Sequence, residues 1–119
     1  MHGEDFITVA HELANGDSEA HWRSAVSRAY YGAFHVARQA VIDEGGTVEK
    51  GPAAHGEVRN WLLNRPEESL VEAGSNLGDL HGRRIRADYH LDIRDMTRNN
   101  AMLEFMKAKI IIEAIRANL

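Results

Sequence analysis

The feature that most constrains the fold is a run of apolar residues at helical spacing between Trp22 and Val41. The following residues of the run fall on one side of a helix: Val26, Ala29, Tyr30, Ala33, Phe34, Ala37, Ala40 and Val41. Residues three and four apart share a helix face, so this run predicts a long, central, buried helix. Asp17 or Ser18 is a suitable N-cap, and Gly45-Gly46 ends the run.

Most of the remaining chain also has helical periodicity. It contains only two prolines and has no sustained alternation of apolar and polar residues. We therefore predict an all-α fold, with four further helices at about 4–14, about 53–63, from Pro66 onward, and from Asp95 or Thr97 to Asn118. A length of 119 residues is that of one domain, which we place at 1–119.

Composition excludes several classes of protein. The chain has no cysteine, which excludes a disulfide framework, a thiolate zinc site and a cysteine nucleophile. The net charge of −4 argues against general, charge-driven binding of nucleic acid and leaves room only for a local basic patch. The N-terminus is acidic, and the longest apolar run is far too short for a membrane span. We expect a soluble cytoplasmic protein with no membrane association.

Three consecutive isoleucines, Ile110 to Ile112, lie in the last predicted helix. Successive helical residues point about 100° apart, so one core cannot cover all three side chains. Met102, Leu103, Phe105 and Met106 add further apolar surface to the same helix. We predict that part of this helix meets a second subunit; the alternative is that it lies in a deep groove of its own domain.

Two segments carry a resemblance to a known family. RAYYGAFHVA (28–37) and LHGRRIRADYHL (80–91) resemble the second helix and the R-x-x-A-D-Y segment of small prokaryotic HEPN-domain proteins. His55-Gly56 falls where relatives often carry a histidine-glycine pair. The resemblance implies a bundle of four to five helices, usually a homodimer. Many family members are RNases or toxins paired with a nucleotidyltransferase-like antitoxin, and others bind nucleotides or are uncharacterised.

The resemblance also implies a catalytic pair. The RNase signature of the family is an arginine followed four to six residues later by a histidine, which alignment on Ala87-Asp88-Tyr89 assigns to Arg84 and His90. Metal-independent RNA cleavage requires proton transfer near neutral pH and neutralisation of phosphate charge, which histidine and arginine provide. No metal and no cofactor are implied.

Helix geometry limits how Arg84 and His90 can meet. Residues six apart are turned by about 240° on an unbroken helix and face different directions. The two side chains meet only if the helix ends between them or if one comes from a second subunit. The alternative for Arg84 is a structural ion pair with Asp88, at i,i+4 spacing.

Other polar residues are candidates for binding RNA phosphates. Arg83 and Arg86 lie in the arginine-rich segment 81–98, and Arg28, Tyr31 and His35 form a polar stripe on the central helix. The stripe can instead be a solvated face or a dimer interface.

The remaining histidines have no motif around them. We expect His11, His55 and His81 to be isolated surface, packing or capping residues, and Tyr30 to belong to the core. Two functional classes remain. One is a HEPN endoribonuclease, for which the family resemblance implies the role of a toxin or defence effector. The other is a catalytically inactive dimer that binds a nucleotide or a partner protein.

Overall fold

The computed structural model describes residues 1–119 and contains five α-helices and no strand. They are α1 (Gly3–Ala14), α2 (Glu19–Asp43), α3 (Ala53–Leu63), α4 (Glu68–Tyr89) and α5 (Arg98–Asn118). The prediction of an all-α bundle is confirmed. None of the five combines the length and the apolar character that crossing a bilayer requires.

Local side chains explain where α2 and α5 begin. Ser18 Oγ accepts a hydrogen bond from the His21 backbone N–H, and Thr97 Oγ1 accepts one from Asn100 N–H. These contacts satisfy N–H groups that have no partner within the helix. The prediction that α4 starts at Pro66 is wrong by two residues, because Glu67 has an extended backbone (φ −73°, ψ 119°) and acts as the N-cap.

The core is built around α2, which packs against each of the other four helices. Its buried face includes Tyr30, which is fully buried as predicted. The largest fully buried side chains contributed by the other helices are Leu62 from α3, Leu70, Leu77 and Leu80 from α4, and Ile111 from α5. Full burial of each aliphatic side chain contributes roughly 1.5–3 kcal/mol before the entropy of ordering it is counted.

Gly74 explains why α3 and α4 lie so close together. A Cβ at this position would be 3.0 Å from Leu62 Cβ and 3.1 Å from the Leu63 backbone nitrogen. The absent side chain therefore allows the two backbones to approach. This close approach places residues of α3, including His55, against the following turns of α4.

The three isoleucines of α5 have different environments, as the sequence predicts. Ile111 and Ile112 are buried, whereas 56% of Ile110 is exposed. Leu103 and Met106 are exposed on the same helix, about two turns and one turn before Ile110, respectively. The helix is thus not enclosed by its own domain, and the predicted contact of α5 with a second subunit stays a prediction.

Candidate functional site

The candidate site lies where α2, α3 and α4 meet and is centred on three stacked rings. The His55 and His81 rings are nearly parallel, with centroids 4.7 Å apart and an interplanar angle of 7°. The Tyr30 ring stacks beside both, 4.9 Å from His81 and 5.6 Å from His55. We call Tyr30, His55 and His81 the imidazole cluster.

Tyr30 fixes the position of the His55 ring. Its hydroxyl oxygen is hydrogen-bonded to His55 Nδ1. Burial raises the pKa of Tyr30 above its ordinary range, so the phenol keeps its proton at neutral pH. The hydroxyl can therefore donate to Nδ1, in which case the His55 proton resides on Nε2; the opposite tautomer reverses the roles.

Both histidines of the imidazole cluster are uncharged at neutral pH. Burial lowers the pKa of His55, and the positive charges of Arg84 and His35 lower it further. Burial also lowers the pKa of His81, with additional contributions from His55, Arg84 and Arg59. An uncharged imidazole has a nitrogen free to accept a proton, so the cluster supplies proton acceptors near neutral pH.

Arg84 lies beside the imidazole cluster. Its guanidinium carbon is 5.1 Å from the Tyr31 ring centroid and 5.6 Å from that of Tyr89. Arg84 Nε is 3.0 Å from Asp88 Oδ2, but this buried N–H makes no aligned hydrogen bond. The Ser27 hydroxyl donates to the same Asp88 oxygen at 3.1 Å. The predicted ion pair is confirmed, and the two terminal guanidinium nitrogens of Arg84, which make no hydrogen bond within the chain and are not buried, remain for an anion.

The structure separates Arg84 from His90, the other member of the predicted catalytic pair. Helix α4 ends at Tyr89, between the two residues, and His90 is the C-cap. Arg23 donates to the backbone carbonyls of Ala87 (2.9 Å) and His90 (3.1 Å), which fixes the end of the helix. The His90 residue is exposed, and no side-chain hydrogen bond or ion pair joins it to Arg84. The helix end between them meets one of the two conditions for the pairing, but no contact is formed in this chain, and the pairing of Arg84 with His90 stays a prediction.

The predicted phosphate-binding residues fall into two groups on different sides of α4. Arg83 and Arg86 face α5 and the segment that precedes it. Arg83 Nε is 3.8 Å from Glu104 Oε1, and Arg86 is paired with Asp95. Neither arginine contacts the imidazole cluster, so the two groups are separate surfaces.

Arg28, Tyr31 and His35 of α2 are joined through Phe6 of α1. The Phe6 ring is 5.5 Å from His35 and 6.4 Å from Tyr31, and the Arg28 guanidinium carbon is 5.6 Å from the same ring. The predicted stripe is thus brought together, and Tyr31 connects it to Arg84. Phe6 is only partly buried.

A cleft of about 580 Å³ lies away from the imidazole cluster, between the start of α1, α2 and the end of α5. Its lining carries both signs of charge, and Arg116 is already paired with Glu4. The imidazole cluster combines histidines of lowered pKa with an incompletely bonded arginine, so it is the better candidate for chemistry.

The expectation that His55 and His81 are isolated is wrong. They lie on different helices, and they meet because α3 and α4 pack closely at Gly74. One signal in the sequence indicates part of the site. His81, Arg84 and Asp88 have spacings of three and four and therefore share a face of α4. His11, the third of these histidines, packs against Phe105 with ring centroids 5.0 Å apart.

Comparison of the chain with protein-family models, with curated proteins and with solved structures finds no match. The geometry of the imidazole cluster and Arg84 is therefore the basis for assigning a function.

Proposed function

We propose that this chain is a metal-independent endoribonuclease of the HEPN type and that its active site is formed by the imidazole cluster and Arg84. One observation carries the proposal: the partly buried guanidinium of Arg84 lies beside two histidines whose pKa is lowered by burial and by the charge of Arg84. This combination supports phosphate binding and proton transfer in one site.

The reaction follows from the groups present. The 2′-oxygen of RNA attacks the adjacent phosphorus, the bond from phosphorus to the 5′-oxygen breaks, and a 2′,3′-cyclic phosphate forms. One histidine accepts the 2′-hydroxyl proton. The other, protonated as the anionic phosphate approaches, donates a proton to the departing 5′-oxygen. Arg84 stabilises the negative charge that develops on the phosphate oxygens.

The test is an RNA-cleavage assay in the presence of a chelator. Replacing His81 or His55 with Gln removes a proton-transfer group, and we expect cleavage to fall about 10²- to 10⁴-fold. His11→Gln is the matched control, because His11 packs against Phe105 and is outside the site. Circular dichroism confirms that each variant is folded, and end-group analysis identifies the cyclic phosphate.

A His90→Gln variant distinguishes the imidazole cluster from the pair implied by the resemblance. Full activity of this variant, together with loss in His81→Gln, supports the cluster. Loss in His90→Gln alone would assign catalysis to Arg84 and His90 of two subunits. Nucleotide binding without any cleavage would favour the alternative class, a catalytically inactive nucleotide-binding module.

The proposal includes a homodimer and a toxin or defence role with a nucleotidyltransferase-like antitoxin, both implied by the family resemblance. The exposed side chains of Leu103, Met106 and Ile110 on α5 support the dimer, because a contiguous apolar stripe favours burial against a partner. Light scattering at micromolar concentration is expected to give twice the mass of the chain. A strict monomer that Ile110→Glu leaves unchanged would remove the dimer from the proposal.

A further inference from the structure

Two arginines and three aromatic side chains lie in successive contact along a surface that starts at the candidate site. Tyr89 is followed by Arg84 at 5.6 Å, and Arg84 by Tyr31 at 5.1 Å. Tyr31 is followed by Phe6 at 6.4 Å, and Phe6 by Arg28 at 5.6 Å. We call these five residues the arginine–aromatic strip. It crosses α4, α2 and α1, so no single helix pattern reveals it.

The strip is accessible at both ends. At one end, 70% of Tyr89 is exposed, although its ring lies close to Arg84. At the other end Arg28 is exposed, and Phe6 beneath it is only partly buried. Aromatic surface left open to water beside a cation is available for a ligand that has both a flat apolar face and a negative charge.

The chemistry of the strip matches unpaired nucleotides. A nucleotide carries one planar base and one phosphate, and single strands bind to proteins by stacking bases on aromatic rings while arginines contact phosphates. In a duplex each base face is covered by its neighbours, so the rings of the strip would have no base face to contact. An acidic peptide would pair with the two arginines but would leave the three aromatic rings without a planar partner.

We propose that the arginine–aromatic strip binds a single-stranded RNA segment, with bases on Tyr89 and Phe6 and phosphates at Arg84 and Arg28. This inference rests on the proposed function, since it extends the substrate from the phosphate at Arg84 to the nucleotides on either side. Tyr89 is then a specificity-determining residue that selects unpaired over paired RNA.

The test is direct binding, measured by fluorescence anisotropy with an end-labelled 2′-O-methyl oligonucleotide that cannot be cleaved. The same strand is also annealed to its complement. We expect the single strand to bind more tightly than the duplex at equal salt. Tyr89→Ala is expected to weaken single-strand binding about 5- to 100-fold, the usual effect of removing one stacking ring.

Matched variants separate stacking from other causes. Tyr89→Phe keeps the ring and is expected to bind like the native protein. Leu91→Ala removes a side chain that is 71% exposed near Tyr89 and is expected to leave binding unchanged. Arg28→Gln removes one phosphate contact, so the plot of log affinity against log salt concentration is expected to become shallower, its slope changing by about 1.

The outcomes keep the two proposals distinct. Duplex binding as tight as single-strand binding, native affinity in Tyr89→Ala, or no binding of either oligonucleotide would each overturn the strip. The cleavage assay decides the ribonuclease proposal independently. Single-strand binding that depends on Tyr89, in a protein that cleaves no RNA, would leave the strip standing and remove the ribonuclease.

Discussion

The two sides of α4 carry arginines in contrasting surroundings. On the side that faces α2, Arg84 lies between the Tyr31 and Tyr89 rings, and its buried Nε–H lacks a hydrogen-bond partner. On the side that faces α5, Arg83 lies 3.8 Å from Glu104, and Arg86 is paired with Asp95, although the buried Nε–H of Arg86 also lacks an aligned hydrogen bond. The three arginines lie within four residues of sequence, but Arg84 lies between aromatic rings, whereas Arg83 and Arg86 contact carboxylates of α5 and of the segment that precedes it.

The aromatic rings and histidines around Arg84, rather than the absence of a carboxylate, distinguish the two sides, because all three arginines have a carboxylate within 4 Å. Arg83 and Arg86 are each matched by a carboxylate, and such exposed pairs contribute little, about 0–1 kcal/mol. Arg84 also has a carboxylate nearby, but Asp88 accepts a hydrogen bond from Ser27 and does not align with Arg84 Nε. Only the α2-facing side combines a guanidinium with histidines held uncharged, so catalysis is expected on that side alone.

The largest expected effect tests this contrast directly. Arg84→Ala removes the group that stabilises developing phosphate charge, and we expect RNA cleavage to fall about 10²- to 10³-fold. Arg83→Ala removes an equal charge from the other side of the helix and is expected to change cleavage by less than about threefold. The measurement is kcat/KM on one RNA for both variants. Equal losses would show that net charge, rather than the site beside α2, determines activity.

A pair of glycine substitutions extends the contrast to stability. Gly74→Ala places a methyl group 3.0 Å from Leu62 Cβ and 3.1 Å from Leu63 N, and overpacking of this kind costs about 1–3 kcal/mol. Gly82→Ala meets no atom within 4 Å, so the better helix propensity of alanine is expected to stabilise by up to about 1 kcal/mol. Urea denaturation of both variants measures the two changes. If Gly74→Ala stabilises as much as Gly82→Ala, close packing of α3 on α4 is not what requires Gly74.

The imidazole cluster also predicts a pH dependence of stability. Folding lowers the pKa of His55 and His81, mainly through burial, so the unfolded chain binds their protons more readily than the folded chain. Their contribution is fully present above the ordinary histidine pKa of about 6.5 and is lost as the pH falls from there through the lowered values. Urea midpoints are therefore expected to fall between about pH 7 and pH 5.

A histidine variant isolates this effect from the titration of carboxylates. His81→Gln removes one of the two titrating groups. The free energy of unfolding of the variant is therefore expected to fall less between about pH 7 and pH 5 than that of the native protein. A pH-independent difference would mean that the folded protein does not hold His81 in its uncharged form.

Patterns within single helices could be predicted from the sequence. The buried face of α2, the Ser18 cap and the unequal environments of Ile110 and Ile111 follow from helical spacing and capping chemistry alone. The sequence predicts that α4 starts at Pro66, two residues too early, because the pattern at Pro66 does not show that the backbone of Glu67 is extended.

Contacts between helices could not be predicted in the same way. His55 and His81 are far apart in sequence, and their stacking depends on how closely α3 and α4 approach at Gly74. The role of Phe6 as the link between Arg28 and Tyr31 depends in turn on how α1 packs on α2. The resemblance implies Arg84, which does lie at the site. Of the two histidines of the imidazole cluster, His81 shares a face of α4 with Arg84 through its i,i+3 spacing, whereas His55 is brought there by the packing of α3 on α4.

The most direct measurement of the central claim follows the imidazole NMR signals of the native protein during titration with a non-cleavable 2′-deoxy dinucleotide. We expect the signals of His55 and His81 to move with the ligand, the signals of His11 and His21 to stay fixed, and Arg84→Ala to abolish the movement. Movement of the His90 signal alone, or fixed signals for both His55 and His81 at saturating ligand, would contradict the assignment of the functional site to the imidazole cluster.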